Sequence, residues 1–560
     1  MSPVAIVLWA AMALAATWGS APVHAAAPSA THAAPTHAAR VHAAPMLARP
    51  VRTGSGLIAG MQSEVAGVTA FKGIPFAAPP VGDLRWRPAQ PLAQWSGVRA
   101  GDKFGPVCIQ PHQRRRVPNN RAVDLPDSPP TSEDCLYLNV WTPARSARSR
   151  LPVMVWIFGG AYTEGSGSSP HDDGSHLAAK GVVVVTFNYR LGALGFLAHP
   201  ALTAESPHHA SGNYALSDAL AALHWVQRNI AAFGGDPANV TIFGESAGAA
   251  ISSALVGAPP ARGLFRRAIS ESGTWMGLAL APMRTRASAE QQTVSAAAKI
   301  GGTTLAALRA LPAEEAATKL PKQGMIIDGW IIPEDLTRTF AEGRQNPVDV
   351  LVGSNRDEGS FAAGFGPPMT VQRWTASAAQ RWGEDTALGR AAYPVSTDAQ
   401  AAAASIGSFA DNMAWISRVY AARQRAIGRR AYVYHFVHVP PYAPGARNLG
   451  VCHTCEMVYV FDNLGAARQF PDNSSPELAR TSAADIRMAE MTSSYWVNFA
   501  RSGDPNGPGL PKWPLLREVS SGPVLELGDA PVADDSLGPA KVRLYQALYR
   551  KLLKRLHVGG

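Results

Sequence analysis

Residues 240–257 read VTIFGESAGAAISSALVG: a short apolar run, a serine with a glycine two places to either side, then small and apolar residues that suit a helix. A strand that turns at once into a helix uses all of these features. Such a turn brings neighbouring chain segments so close that side chains at Gly244 and Gly248 would clash, and glycine removes the clash. It also lifts the Ser246 hydroxyl above the strand ends. Backbone N–H groups at the helix start, including that of Ala247, face the same space, where they can hold an anionic oxygen. The bare pattern is weak in a chain so rich in Ala, Gly and Ser; its weight comes from the strand and the helix around it.

The neighbouring segments extend this picture. LPVMVWIF (151–158) and GVVVVTFNYR (181–190) are continuous apolar runs, as expected of strands buried on both faces in a parallel sheet. ALSDALAALHWVQRNIAAF (215–233) places Leu216, Leu220, Leu223, Val226 and Ile230 at helical spacing and stops at Gly234 and Gly235. Strands alternating with helices predict an α/β architecture, and the serine turn specifies the α/β-hydrolase fold. This fold has a large, mostly parallel central sheet flanked by helices, with catalytic residues on loops at the strand carboxyl ends. A hydrophobic content of 46% is ample for one large core.

A serine hydroxyl is a poor nucleophile near neutral pH and needs a base that is itself oriented by an acid. In this fold the chain order is serine, acid, histidine. VDVLVGSNRDEGSF (348–361) predicts a buried strand and a loop bearing Asp357 and Glu358; AYVYHFVHV (431–439) predicts another strand, and the loop after it contains His453. His435 and His438 lie within that strand, so His453 is the candidate base.

The amino-terminal run VAIVLWAAMALAATW (4–18), followed by small residues, predicts a signal peptide over residues 1–26 with cleavage near Ala25 to Ala27. The run falls short of the roughly 20 residues that span a bilayer, so stable membrane insertion is not expected. Residues 27–50, biased to Ala, Pro, Thr and His, predict a linker, and 51–560 the folded domain. Export places the protein in the periplasm or outside the cell, where its four cysteines read first as disulfides. Cys108, Cys135, Cys452 and Cys455 allow three pairings, of which the local ones are favoured. A Cys452–Cys455 bond would brace the loop that carries His453. The net charge of +10 comes from scattered basic residues without a nucleic-acid motif. The exception is Arg114, Arg115 and Arg116, with Arg121 nearby; Asp124, Asp127, Glu133 and Asp134 partly offset them.

An ordered set of motifs resembles the type-B carboxylesterase family, the esterase and cholinesterase group of α/β-hydrolases. It includes FKGIPFAAPPVGDLRWRP (71–88), SEDCLYLNVW (132–141), FGGAYTEGSG (158–167), NYRLGALGF (188–196) and FGGDPANVTIFGESAG (233–248). Further along come ISESG (269–273), NRDEGSF (355–361), CHTCE (452–456) and WVNFARSGDPN (496–506). The resemblance implies Ser246 as nucleophile, Glu358 as acid with Asp357 in reserve, and His453 as base. It implies an oxyanion hole from the N–H groups of Gly160, Ala161 and Ala247, a Cys108–Cys135 disulfide, and scaffold ion pairs Arg85–Glu133 and Arg190–Asp218. Phe158 and Ala161 depart from the His or Tyr and the third glycine common at those positions. The Ala161 methyl narrows the space beside the acyl carbon.

These readings imply a serine esterase acting on small carboxylic esters with no metal and no organic cofactor, with no nucleic acid as partner and no stable membrane insertion. The alternative is a noncatalytic binding or adhesion protein on the same fold. Such proteins typically lack the serine or the histidine, and both are present here. Cholinesterases hold choline against an aromatic residue in the loop between the first two cysteines; residues 109–134 here contain none, which argues against quaternary ammonium esters.

Overall fold

The apolar runs become the centre of one mixed sheet. Its strands, in chain order, are β1 (Met61–Gln62), β2 (Thr69–Pro75), β3 (Tyr137–Thr142), β4 (Leu151–Ile157), β5 (Val183–Phe187) and β6 (Gly235–Glu245). They continue with β7 (Arg267–Glu271), β8 (Asp349–Asn355), β9 (Ala431–Phe436), β10 (Val524–Leu527) and β11 (Val532–Asp534). The computed structural model describes residues 50–110, 130–276, 280–362, 367–469, 481–519, 522–534 and 537–558; of 114–117, 121–124, 362 and 467–469 it describes the backbone alone. The expected signal peptide and nearly all of the expected linker lie outside the described residues.

Across the sheet the order is β11-β10-β9-β8-β7-β6-β4-β5-β3-β2-β1. Strands β5, β4 and β6 through β10 run parallel, while β11 at one edge and β3, β2 and β1 at the other are antiparallel. The parallel strands are those whose sequences read as unbroken apolar runs. Val153 to Ile157 and Val183 to Val185 are fully buried. Each such Val or Ile contributes roughly 1.5–3 kcal/mol by leaving water.

Helices cover the sheet: α1 (Tyr214–Asn229), α2 (Ala247–Gly257), α3 (Asp398–Ala426), α4 (Ala483–Ser502) and α5 (Pro539–Arg555). Helix α2 packs on β6 and β7, α3 on β8 and β9, and α4 on β4 and β6. The segment expected to be helical over 215–233 is α1 followed by a tighter turn at Ile230–Phe233, closed by Gly234 at φ 81°. The chain lays β5 on one side of β4 and returns to lay β6 on the other. At such a reversal the connections leave in opposite directions and open a crevice at the strand carboxyl ends. Strand β6 ends there, one residue before Ser246.

Candidate active site

Ser246 sits between β6 and α2 with φ 54° and ψ −119°. A non-glycine residue in that region is strained by about 1–3 kcal/mol and persists only where its surroundings over-determine it. The surroundings are backbone: the Ser246 N–H donates to the Glu271 carbonyl of β7 (2.9 Å), and the Ser246 carbonyl accepts from Ala250 N–H (3.0 Å). Both glycines of the motif are sterically required. A Cβ on Gly244 would stand 2.5 Å from the Ile157 carbonyl oxygen, and one on Gly248 would overlap that same oxygen and lie 2.6 Å from the Phe158 oxygen.

The strap after β4 passes directly over the serine. A Cβ on Gly159 would be 3.1 Å from the Ser246 Cβ. Gly160, Ala161 and Tyr162 all have positive φ, 91°, 52° and 64°. Thr163 and Glu164 N–H groups close the strap onto the Gly160 carbonyl (2.9 and 3.1 Å). Among the described residues the N–H groups of Gly160, Ala161 and Ala247 donate to no protein acceptor, so they are free for a ligand. Phe158 stacks on Tyr189 with ring centroids 4.2 Å apart, and the Tyr189 hydroxyl donates to the Phe158 carbonyl (2.7 Å). The ring that departs from the family pattern thus anchors the strap.

Glu358 opens a single turn of 3₁₀ helix, Glu358–Ala362, directly after β8. Its Oε1 accepts from Asn355 N–H (2.8 Å) and its Oε2 lies 2.5 Å from His453 Nδ1. On the other side of the ring, His453 Nε2 is 2.8 Å from Ser246 Oγ. Three loops at the ends of β6, β8 and β9 therefore meet in one hydrogen-bonded line. Glu358 is fully buried, and the His453 side chain is 14% exposed. Asp357 turns away: its Oδ2 accepts from Val451 N–H (2.8 Å) and from Arg356 (2.9 Å), and its own N–H donates to the Val451 carbonyl (2.9 Å). It ties the histidine loop instead of facing the ring. His438 lies elsewhere, its nitrogens 2.7 Å from Asp529 and 2.9 Å from Asp485.

Behind the ring lies a group of buried acids. Glu245 Oε1 is 3.2 Å from His453 Nε2. Glu456 accepts from Ser272 Oγ (2.9 Å) and from Asn355 Nδ2, which also donates to the Cys452 carbonyl (2.7 Å). Glu271 accepts from Trp496 Nε1 (2.8 Å). Burial pushes the Glu245 and Glu271 carboxyls well above the usual range and, with the charge of Glu358, raises Glu456 to about 7. Burial alone would lower the His453 imidazole, but the Glu245 and Glu358 carboxylates override it and raise its pKa. Placing Glu271, Ser272 and Glu456 in one group needs the sheet, because β7 brings the first two beside the histidine loop.

Both local disulfides are present, Cys108–Cys135 and Cys452–Cys455. The first closes a span of 27 residues, which stabilises by roughly 3 kcal/mol in the chain-entropy model. Between these cysteines Arg114–Val117 pairs antiparallel with Arg121–Asp124; the side chains of this hairpin, and Asp127, lie outside the described residues. Arg85 grips Glu133 with two hydrogen bonds (2.7 and 2.5 Å), and Arg190 grips Asp218 likewise (2.8 and 2.7 Å).

A sequence model of the carboxylesterase family matches residues 48–545. The chain belongs to the carboxylesterase family. It is 39% identical over 499 residues to the fumonisin B1 esterase of Sphingopyxis macrogoltabida, covering 87% of each chain. Liver carboxylesterase 1 of Oryctolagus cuniculus is 34% identical over 531 residues, covering 86% of this chain and 90% of that one. A thermophilic PNB esterase superposes with a TM-score of 0.75 at 31% identity, covering 89% of this chain and 99% of its own. Membership makes this carboxylesterase a carboxylic ester hydrolase with small-molecule ester substrates, on the α/β-hydrolase fold. Among the described residues no helix is long and apolar enough to cross a membrane.

Proposed function

We propose that this carboxylesterase hydrolyses its esters through an acyl intermediate on Ser246, with His453 as general base and Glu358 as the acid that orients it. The observation that carries the reading is the unbroken line Glu358 Oε2, His453 Nδ1, His453 Nε2, Ser246 Oγ, with both hydrogen-bonded gaps at or below 2.8 Å. The carboxylate keeps the proton on Nδ1, which leaves the Nε2 lone pair facing the hydroxyl. His453 takes the Oγ proton as Oγ attacks the acyl carbon. The N–H groups of Gly160, Ala161 and Ala247 receive the oxyanion, each such donor being worth about 3–4 kcal/mol in comparable sites. The imidazolium then protonates the leaving alcohol, and water repeats the sequence to release the acid and free Ser246.

The same reading places residues 51–560 in one hydrolase domain preceded by a linker at 27–50, in a chain exported to the periplasm or beyond with residues 1–26 cleaved as its signal peptide. Two disulfides suit the oxidising compartment that export reaches. The substrate is an ester without a quaternary ammonium group, and fumonisin B1 is the first compound to test because the relative at 39% identity bears its name. The deciding experiment is labelling with a fluorophosphonate and mapping of the modified peptide, beside Ser246→Ala. The label is expected on Ser246, and the variant is expected to fold normally while losing about 10⁴ to 10⁶-fold in kcat. A folded alanine variant with near-wild-type turnover removes Ser246 from the mechanism.

A further inference from the structure

The cysteines that flank His453 are not required by the chemistry just described, yet they are bonded to each other around it. The loop Cys452-His453-Thr454-Cys455 is anchored on both sides. Upstream, Val451 and Asp357 exchange two hydrogen bonds, 2.8 and 2.9 Å, and Asn355 holds the Cys452 carbonyl at 2.7 Å. Downstream, Glu456 is held by Ser272 at 2.9 Å and by Asn355. Between these anchors lie residues 453–455, with the Thr454 carbonyl accepting from Met457 N–H (3.1 Å).

Among them Thr454 stands at φ 74°. A β-branched residue enters the left-handed region only where its neighbours force it. Among the elements that hold it there are the Cys452–Cys455 bond, the Cys455 N–H on the Cys452 carbonyl (3.1 Å), and the Cys452 N–H on Cys455 Sγ (3.1 Å). Tyr442 covers the bridge: its hydroxyl donates to the Gly450 carbonyl (2.7 Å) and lies 3.6 and 3.5 Å from the two sulfurs.

We propose that the Cys452–Cys455 disulfide is the positioning element that holds His453 against Ser246, and that opening it with a dithiol reversibly lowers turnover. The inference rests on the Ser246–His453–Glu358 reading. The first thiolate attacks Cys455 Sγ, since Cys455 is 8% exposed and Cys452 fully buried, and Cys452 leaves as the thiolate. The reagent's second thiol then displaces Cys455 and closes the reagent into its own disulfide. The reagent loses two electrons, the bridge gains them, and two protons end on the cysteine sulfurs. With the bridge open, Thr454 relaxes from positive φ and carries the imidazole off the serine. A displacement near 1 Å costs up to about 100-fold in the chemical step.

The test uses the full chain, an activated ester and dithiothreitol, with alkylation and peptide mass mapping to report which bonds are open. Wild type with the bridge mapped open is expected to lose about 10 to 100-fold in kcat and in the rate of fluorophosphonate labelling, with KM within twofold, and to recover on reoxidation. C452A/C455A is expected to show the same loss without reagent and no further loss with it. A bulk effect of the bridge on stability would lower the melting temperature and the active fraction, and leave the labelling rate of folded enzyme unchanged. Wild type that keeps kcat within twofold while mapped open overturns the proposal, as does a bridge that stays closed under excess dithiol in the folded enzyme. An active Ser246→Ala variant would instead defeat the underlying triad, so the two failures are separable.

Discussion

Replacing Glu358 by glutamine tests the line of hydrogen bonds at its most buried point. The carboxylate accepts on both oxygens, from Asn355 N–H at 2.8 Å and from His453 Nδ1 at 2.5 Å. A glutamine can accept on only one. If its NH₂ faces the ring, the imidazole must carry its proton on Nε2 and loses its proposed function as base; the corresponding change in serine hydrolases costs about 10⁴-fold, or about 5 kcal/mol of barrier. If its oxygen faces the ring, the NH₂ confronts the Asn355 N–H. Two buried donors are then unsatisfied, each at about 1–3 kcal/mol of stability, and the imidazolium loses its counter-charge. Glu358→Gln is therefore expected to lower kcat/KM by about 10²- to 10⁴-fold and to reduce the unfolding free energy. Asp357→Asn, whose oxygen can still accept from Val451 N–H, should change kcat/KM less than tenfold. The assay is steady-state hydrolysis of an activated ester, normalised to folded protein, beside denaturant unfolding. A Glu358→Gln enzyme within tenfold of wild type, or an Asp357→Asn enzyme that is worse, would refute the reasoning.

The pH profile carries a second prediction. In the proposed mechanism the neutral imidazole is the base, and the Glu245 and Glu358 carboxylates raise the His453 pKa above 6.5, so kcat/KM should fall as pH drops through a midpoint above 6.5. Glu245→Gln removes the ionisable group 3.2 Å from Nε2 and should move the limb to lower pH; an unmoved limb removes Glu245 from the control of the base. Gly248→Ala places a methyl on the Ile157 and Phe158 carbonyls, all backbone, and should cost at least the upper end of the roughly 1–3 kcal/mol typical of overpacking, seen as a lower unfolding midpoint. Asp218→Ala leaves the buried Arg190 guanidinium without its partner and should destabilise by about 3–5 kcal/mol in denaturant unfolding, whereas a loss under 1 kcal/mol would show that the pair is dispensable.

What could be read from residues alone was what short-range chemistry controls. The strand–serine–helix turn was legible because steric exclusion at Gly244 and Gly248 involves segments that any such turn brings together, and α2 begins and ends as its composition implies. The parallel strands were legible because burial on both faces leaves an unbroken apolar run. The two edges were not, since β1 and β11 are short strands with largely exposed residues, and their antiparallel pairing is set by where the chain arrives. Asp357 and Glu358 are chemically near-equal neighbours in sequence. Tertiary structure separates them, because the turn after β8 aims one at the ring and the other at the Val451 amide. The same holds for Glu456, Ser272 and Asn355, ordinary polar residues in sequence that become one buried network only when β7, β8 and the histidine loop pack together. Local sterics and hydrophobic periodicity belong to the sequence by itself; the pairing of His453 with groups 95 and 207 residues away belongs to the packed sheet, where hydrogen-bond distance is decided by which strands lie side by side.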